Sequence, residues 1–299
     1  MILFLVLLTI LILLFIFSMF LYKVALNNKP VNFSPKGSGE YESITLHNED
    51  DLKWLDSNSS DVDIKSFDDL KLHGYLLDNN KDNYIILVHG YRGDGTDMIK
   101  CAKRFSKSFN ILIPDLRGHG KSEGDYIGMG YHDSLDIMYW VKYINKLNNN
   151  AKIILYGISM GAATVLLTSD GDMKNVKLII ADSPYMSIFE EYKYQFKNLF
   201  HLPVFPFLYI VDIINRFKNK YSFSMGDVLK HVSNSNLPIL FIHGTSDTYI
   251  PCSHSKKLYE CKKGDKDLLI VSGAKHVASE VVDSKLYWKI VDNFVKKYL

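Results

Sequence analysis

The chain predicts an α/β fold: a mostly parallel sheet covered by helices on both faces. Short apolar runs recur through it, separated by segments with helical spacing. Those runs are apolar at successive positions rather than at every second one, as expected of strands buried on both sides. One of them breaks off in a serine held between two glycines, the kind of turn that joins a strand to a helix.

The elements follow in order. Residues 2–22, ILFLVLLTILILLFIFSMFLY, carry no charged side chain. As a helix they would reach about 30 Å, enough to cross a bilayer. No lysine or arginine precedes the run, and no small-x-small cleavage site follows it, so a retained anchor over 1–22 is expected rather than a cleaved signal. Lys23, Lys29 and Lys36 all lie after it, which weakly favours a cytoplasmic domain. Residues 23–60 are polar and rich in Asn, Ser, Lys and Glu, and read as a linker and irregular approach segment. A domain over 61–299 follows. VDIKSF and LKLHGYLLD read as a hairpin. Buried strands are expected at 83–90, 109–115, 152–157, 176–182, 237–244 and 266–273. A helix over 133–147 would turn Leu135, Met138, Tyr139, Val141 and Ile144 toward the core. The interval 184–226 is dense in aromatics and too long for a simple crossover. It reads as a helical cap insertion over the carboxyl ends of the strands. Within it Phe200, Phe205, Phe207 and Tyr209 are candidates to line an apolar acyl pocket.

Bulk properties narrow the function. The 299 residues carry a net charge of +2, and no basic tract interleaves with aromatics, so a nucleic-acid partner is not expected. Three cysteines, Cys101, Cys252 and Cys261, are too few and too scattered for a zinc site or a disulfide framework. No metal or cofactor is expected.

The chemistry concentrates in GISMG, residues 157–161. A serine on a tight strand-to-helix turn needs small neighbours on both sides, and Ala162 and Ala163 let the helix pack close to the sheet. Serine is a poor nucleophile near neutral pH and needs a base that is itself oriented by a carboxylate. His276 in VSGAKH and Asp247 in HGTSD each follow a predicted strand, on the same sheet edge as Ser159. Asp182 in IIADSPY is the rival acid. An acyl-transfer oxyanion also needs preorganised N–H donors. The amides of Met160 and of Tyr91, in HGYRG, are the candidates. His89, His119, Asp115 and Arg117 read as structural.

These motifs, with PDLRGHGKSEG at 114–124, resemble the α/β-hydrolase fold, especially bacterial serine hydrolases grouped with monoacylglycerol lipases and serine aminopeptidases. The resemblance spans roughly 60–299. It implies a cofactor-free hydrolase of an ester, thioester or amide. A carboxylic ester, from a small-molecule or lipid acyl substrate, is the first expectation. A peptidase using Glu190 and Glu191 to hold a free amino terminus, an acyltransferase, and a noncatalytic membrane-anchored binding protein remain open. Oligomeric state is not legible.

Overall fold

The computed structural model describes residues 1–29 and 43–299. Lys36, one of the three lysines after the apolar run, lies outside the described residues. In chain order the elements begin with α1 (Ile2–Leu26), α2 (Glu49–Asn58), β1 (Ser60–Lys65), β2 (Lys71–Leu77) and β3 (Tyr84–Val88). They continue with α3 (Ile99–Phe105), β4 (Asn110–Pro114), α4 (Tyr131–Leu147), β5 (Ile153–Ile158), α5 (Met160–Leu167) and β6 (Val176–Asp182). Then come α6 (Ile188–Asn198), α7 (Phe207–Asn219), α8 (Val228–Asn234), β7 (Ile239–Gly244) and α9 (Ser253–Cys261). β8 (Lys266–Val271), α10 (Ser279–Val282) and α11 (Ser284–Tyr298) complete the chain.

The sheet has 8 strands in the order β1-β2-β4-β3-β5-β6-β7-β8. The β1–β2 hairpin and the β2–β4 ladder are antiparallel; the ladders from β4 through β8 are parallel. Successive strand residues feed opposite faces, and both faces are covered. Ile86 and Val88 of β3 join a core with Trp140, Val165 and Leu166. Ile85 and Leu87 join another with Phe105, Ile111, Tyr287 and Phe294. This is why those segments are apolar throughout rather than alternating.

Three sequence expectations need correction. First, 23–60 is not all irregular: α2 occupies 49–58. Its start carries a capping box, in which the Asn48 side chain accepts from the Asp51 N–H and the Asp51 carboxylate accepts from the Asn48 N–H. The first apolar helix also runs past residue 22, to Leu26.

Second, α4 buries a different face. Asp133, Asp136, Ile137, Trp140, Val141 and Ile144 point inward, whereas Leu135, Met138 and Tyr139 are half-buried. Two aspartates on the buried stripe hid it. Each is held: the Asp133 carboxylate accepts from the Gly130 N–H at 2.8 Å, and Asp136 receives the Arg117 guanidinium through two hydrogen bonds of 2.8 and 2.9 Å.

Third, the aromatics of 184–226 are used differently. Phe205 is 75% exposed and Tyr209 49% exposed. Phe207 packs edge-on against Phe17 of α1, with ring centroids 5.2 Å apart. α7 is amphipathic and turns Leu208, Val211 and Ile214 inward, so residues offset from that stripe face out.

Candidate active site

The parallel strands deliver four loops to one edge of the sheet. Ser159 follows β5, Asp247 follows β7, His276 follows β8, and Tyr91 follows β3. Open α/β sheets bind their ligands at this carboxyl edge.

Ser159 sits at φ 53°, ψ −121°, a strained conformation for a residue with a side chain. The neighbouring glycines are required on steric grounds. A Cβ on Gly157 would lie 2.3 Å from the Gly161 carbonyl oxygen, and one on Gly161 would lie 2.3 Å from that of Val88. The turn is pinned by the Ser159 N–H donating to the Asp182 carbonyl at 2.8 Å.

Three side chains then form a line. The Ser159 hydroxyl lies 2.8 Å from His276 Nε2, and His276 Nδ1 lies 2.7 Å from Asp247 Oδ2. The carboxylate fixes the tautomer: Nδ1 carries the proton and donates it to Asp247, leaving Nε2 to accept from the serine. The other oxygen, Asp247 Oδ1, accepts from the Tyr249 and Ile250 N–H groups at 2.9 and 2.8 Å. Burial works to raise this carboxyl. The charge of His276 and the hydrogen bonds from His243 and His276 outweigh it and hold Asp247 well below the usual carboxylate range.

His243 is a neighbour of Asp247 that the sequence did not single out. Fully buried at the end of β7, its Nε2 lies 2.9 Å from the Ile250 carbonyl and 3.2 Å from Asp247 Oδ2. Because both atoms facing Nε2 are acceptors, Nε2 carries a proton and donates toward them, while Nδ1 lies 2.7 Å from Ser255 Oγ. The available signal was the dipeptide His-Gly closing a buried strand, which also occurs at His89-Gly90.

Asp182 does not meet His276 through a hydrogen bond. Its carboxylate accepts from Tyr287 OH at 2.8 Å and Ser183 Oγ at 2.9 Å, and burial raises it above the usual range. His89 and His119 are structural. His89 Nε2 accepts the Leu116 N–H at 3.0 Å, and burial pushes the imidazole down to about 4, leaving it neutral. Asp115 ties the loop together by accepting from the Gly95 and Lys121 N–H groups at 2.7 and 2.9 Å. Arg117 spans two more segments, bonded to Asp136 and to both oxygens of Asp68.

Ser159, Met160 and Tyr91 border a cavity of about 250 Å³. Its walls are largely apolar. Tyr192, Phe196, Leu199 and Phe200 come from α6 and the turn after it, so Phe200 is the one anticipated aromatic found there. Glu191 is a polar exception. It is 3% exposed, its Oε1 accepts from Gln195 Nε2 at 2.7 Å, and its Oε2 has no hydrogen-bond partner. Burial raises this carboxyl to about 8, so it is mostly protonated at neutral pH. Glu190 instead faces Lys193 at the surface.

Known proteins are similar to this chain. The Bacillus subtilis protein YqkD is 31% identical over 228 residues, 75% of each chain. The family model described as serine aminopeptidase, S33, matches residues 79–211. The chain belongs to the α/β-hydrolase family. Among solved α/β-hydrolase structures, the Pyrococcus furiosus esterase Pf2001 superposes with a TM-score of 0.68 at 25% identity, covering 89% of this chain and 99% of that one. The lysophosphatidylserine lipase ABHD12 of Danio rerio is 28% identical over 193 residues, 62% of this chain and 48% of its own length. This α/β hydrolase is therefore a serine hydrolase of esterase/lipase-like kind, and its first helix is long and apolar enough to cross a membrane.

Proposed function

We propose that the chain is a membrane-anchored carboxylesterase acting through Ser159, His276 and Asp247. The observation that carries the reading is the unbroken hydrogen-bonded line from serine to histidine to carboxylate, opening on an apolar cavity. Residues 1–22 serve as the anchor and 61–299 as the hydrolase, with its cap over about 184–226. Lys23, in the last turn of α1, and Lys29, just beyond it, favour a cytoplasmic domain.

The chemistry runs as follows. Ser159 Oγ attacks the ester carbonyl while His276 Nε2 takes its proton. The carbonyl oxygen becomes an oxyanion held by the Met160 and Tyr91 amides. Met160 is the first residue of α5, so its N–H has no partner within the helix and the helix dipole adds to it. As the tetrahedral intermediate collapses, His276 returns the proton to the leaving alcohol. Water then attacks the acyl-enzyme by the same relay and releases the acid. Asp247 holds the histidine and stabilises its cation throughout.

Glu191 favours one second reading, a peptidase. Its buried carboxyl faces the cavity and would ionise to hold a substrate ammonium. Against it, the rest of the cavity offers an acyl chain far more apolar surface.

The test is labelling of the full-length protein in detergent by a fluorescent fluorophosphonate, followed by turnover of acyl esters and aminoacyl amides. Wild type is expected to label, Ser159→Ala is expected not to, and esters are expected to turn over faster than amides. Equal labelling of the two proteins would sink the nucleophile assignment. Faster amide turnover would promote the peptidase.

A further inference from the structure

The first helix does not end at the membrane. Residues 2–13 are exposed almost throughout, but Leu21, Tyr22 and Leu26 are buried in the core of the domain. The domain grips this end by hydrogen bonds. Tyr91 OH donates to the Ala25 carbonyl at 2.9 Å, and Arg92 donates to those of Val24 and Asn27 at 2.9 and 3.2 Å. The Ile127 N–H donates to the Leu26 carbonyl at 2.7 Å. The Asn219 amide at the end of α7 donates to Tyr22 OH at 2.9 Å. The end of α1 is thus fixed in place, and its position relative to the site is set.

That position is informative. Leu21, Val24 and Ala25, spaced three and four apart on one helix face, border the same cavity as Ser159. One continuous helix is therefore lipid-like surface over its first turns and a wall of the cavity over its last. α7, packed on α1, adds a second observation. Phe205, in the turn before it, and Tyr209, Ile213 and Phe217 along it recur every four residues and are 75%, 49%, 49% and 76% exposed. A row of large apolar side chains beside a membrane-crossing helix fits the interfacial layer of the same bilayer.

We infer that α1 is part of the substrate-binding site: Leu21, Val24 and Ala25 form one wall of the acyl subsite. The substrate is then an acyl lipid of the leaflet that α1 enters, its chain passing along α1 to Ser159 without crossing water. This rests on the esterase reading and adds to it where the acyl chain lies and where it comes from.

The experiment uses the full-length protein in phosphatidylcholine vesicles and compares turnover of dodecanoyl and acetyl esters of one chromogenic alcohol. Val24→Trp is expected to lower the dodecanoyl-to-acetyl ratio of kcat/KM by roughly tenfold, because the bulk would fill the chain's path. Leu11→Trp, on the exposed part of α1, is expected to keep the ratio within about twofold. A measurable acetyl rate with an unmoved ratio in Val24→Trp overturns this inference alone. Absence of any ester turnover in the wild type removes the esterase reading and this inference with it.

A second measurement needs no substitution. A dodecyl fluorophosphonate with a diazirine at its chain end loses fluoride as the Ser159 Oγ–P bond forms, and light then fixes the chain to its neighbours. Crosslinks within residues 18–27 are expected. Crosslinks confined to α6 would overturn the inference.

Discussion

The two halves of the site are built in different ways. The proposed reacting half consists of strand ends and tight turns, and each part is fixed by its immediate neighbours: glycines that admit no Cβ, and a carboxylate held by two amides and two imidazoles. The proposed substrate half consists of residues brought together from α1, α6 and the loops around a largely apolar cavity. The first half depends on placement to fractions of an ångström; the second depends on volume and polarity. Substitutions should accordingly be all-or-none in the first and graded in the second.

The largest effect separating the halves should come from the acid. Asp247→Asn is expected to lower kcat by about 10⁴, by leaving the histidine in the wrong tautomer. Asp182→Asn should cost less than about tenfold in kcat, with its main effect on stability through the hydrogen bonds from Tyr287 and Ser183. Steady-state kinetics on a short ester separates them, and a matching loss at Asp182 would reassign the acid. Next comes Gly161→Ala. Its new Cβ would fall 2.3 and 2.4 Å from the Val88 and His89 carbonyl oxygens. Relieving that overlap should cost about 1–3 kcal/mol or more and displace Ser159, so fluorophosphonate labelling and the melting temperature should fall together. An active, equally stable Gly161→Ala would show that the turn tolerates movement, and the contrast between the halves would weaken.

The smallest effect is expected at Glu191, in the graded half. Its carboxyl titrates near 4.5 in the unfolded chain and at about 8 in the folded one. Between those values the folded state keeps a proton that the unfolded state has released, so this group's contribution to stability falls as pH rises through the window. Glu191→Gln keeps an acceptor for Gln195 and abolishes the titration. It should raise Tm by a few degrees at pH 8, by less at pH 5, and leave short-ester kcat within about threefold. Calorimetry at the two pH values checks this. A lower Tm at pH 8 would mean that the ionised form is the stabilised one.

The sequence was legible where chemistry is local. The apolar strands, the glycine-flanked serine, and the aspartate and histidine after β7 and β8 all stand within short stretches, because backbone sterics and strand burial act over a few residues. Legibility failed where a polar side chain's use depends on how the folded elements are placed around it. Asp133 and Asp136 gave no sign of lying on the buried face of α4, where the Gly130 N–H and the Arg117 guanidinium reach them. His243 had no visible purpose until the fold brought Asp247 and Ile250 to it. The contact between Tyr22 and Asn219 joins residues 197 positions apart, and no periodicity within α1 announces it. The helix at 49–58 is a different case. Its capping box was readable from Asn48 and Asp51, but the segment is so polar that it passed for loop.

The carbonyls closing α1 have a practical consequence. A helix that ends at a protein surface usually surrenders its last carbonyls to water; here Arg92, Tyr91 and Ile127 take them. The helix end and the enzyme should therefore melt in one cooperative transition. A soluble preparation made by trimming at residue 22 would remove Leu21 and Tyr22, strip a core contact and unroof the cavity. Trimming upstream of Phe17 would spare both, so the choice of where to cut decides whether the purified protein is the enzyme or a damaged version of it.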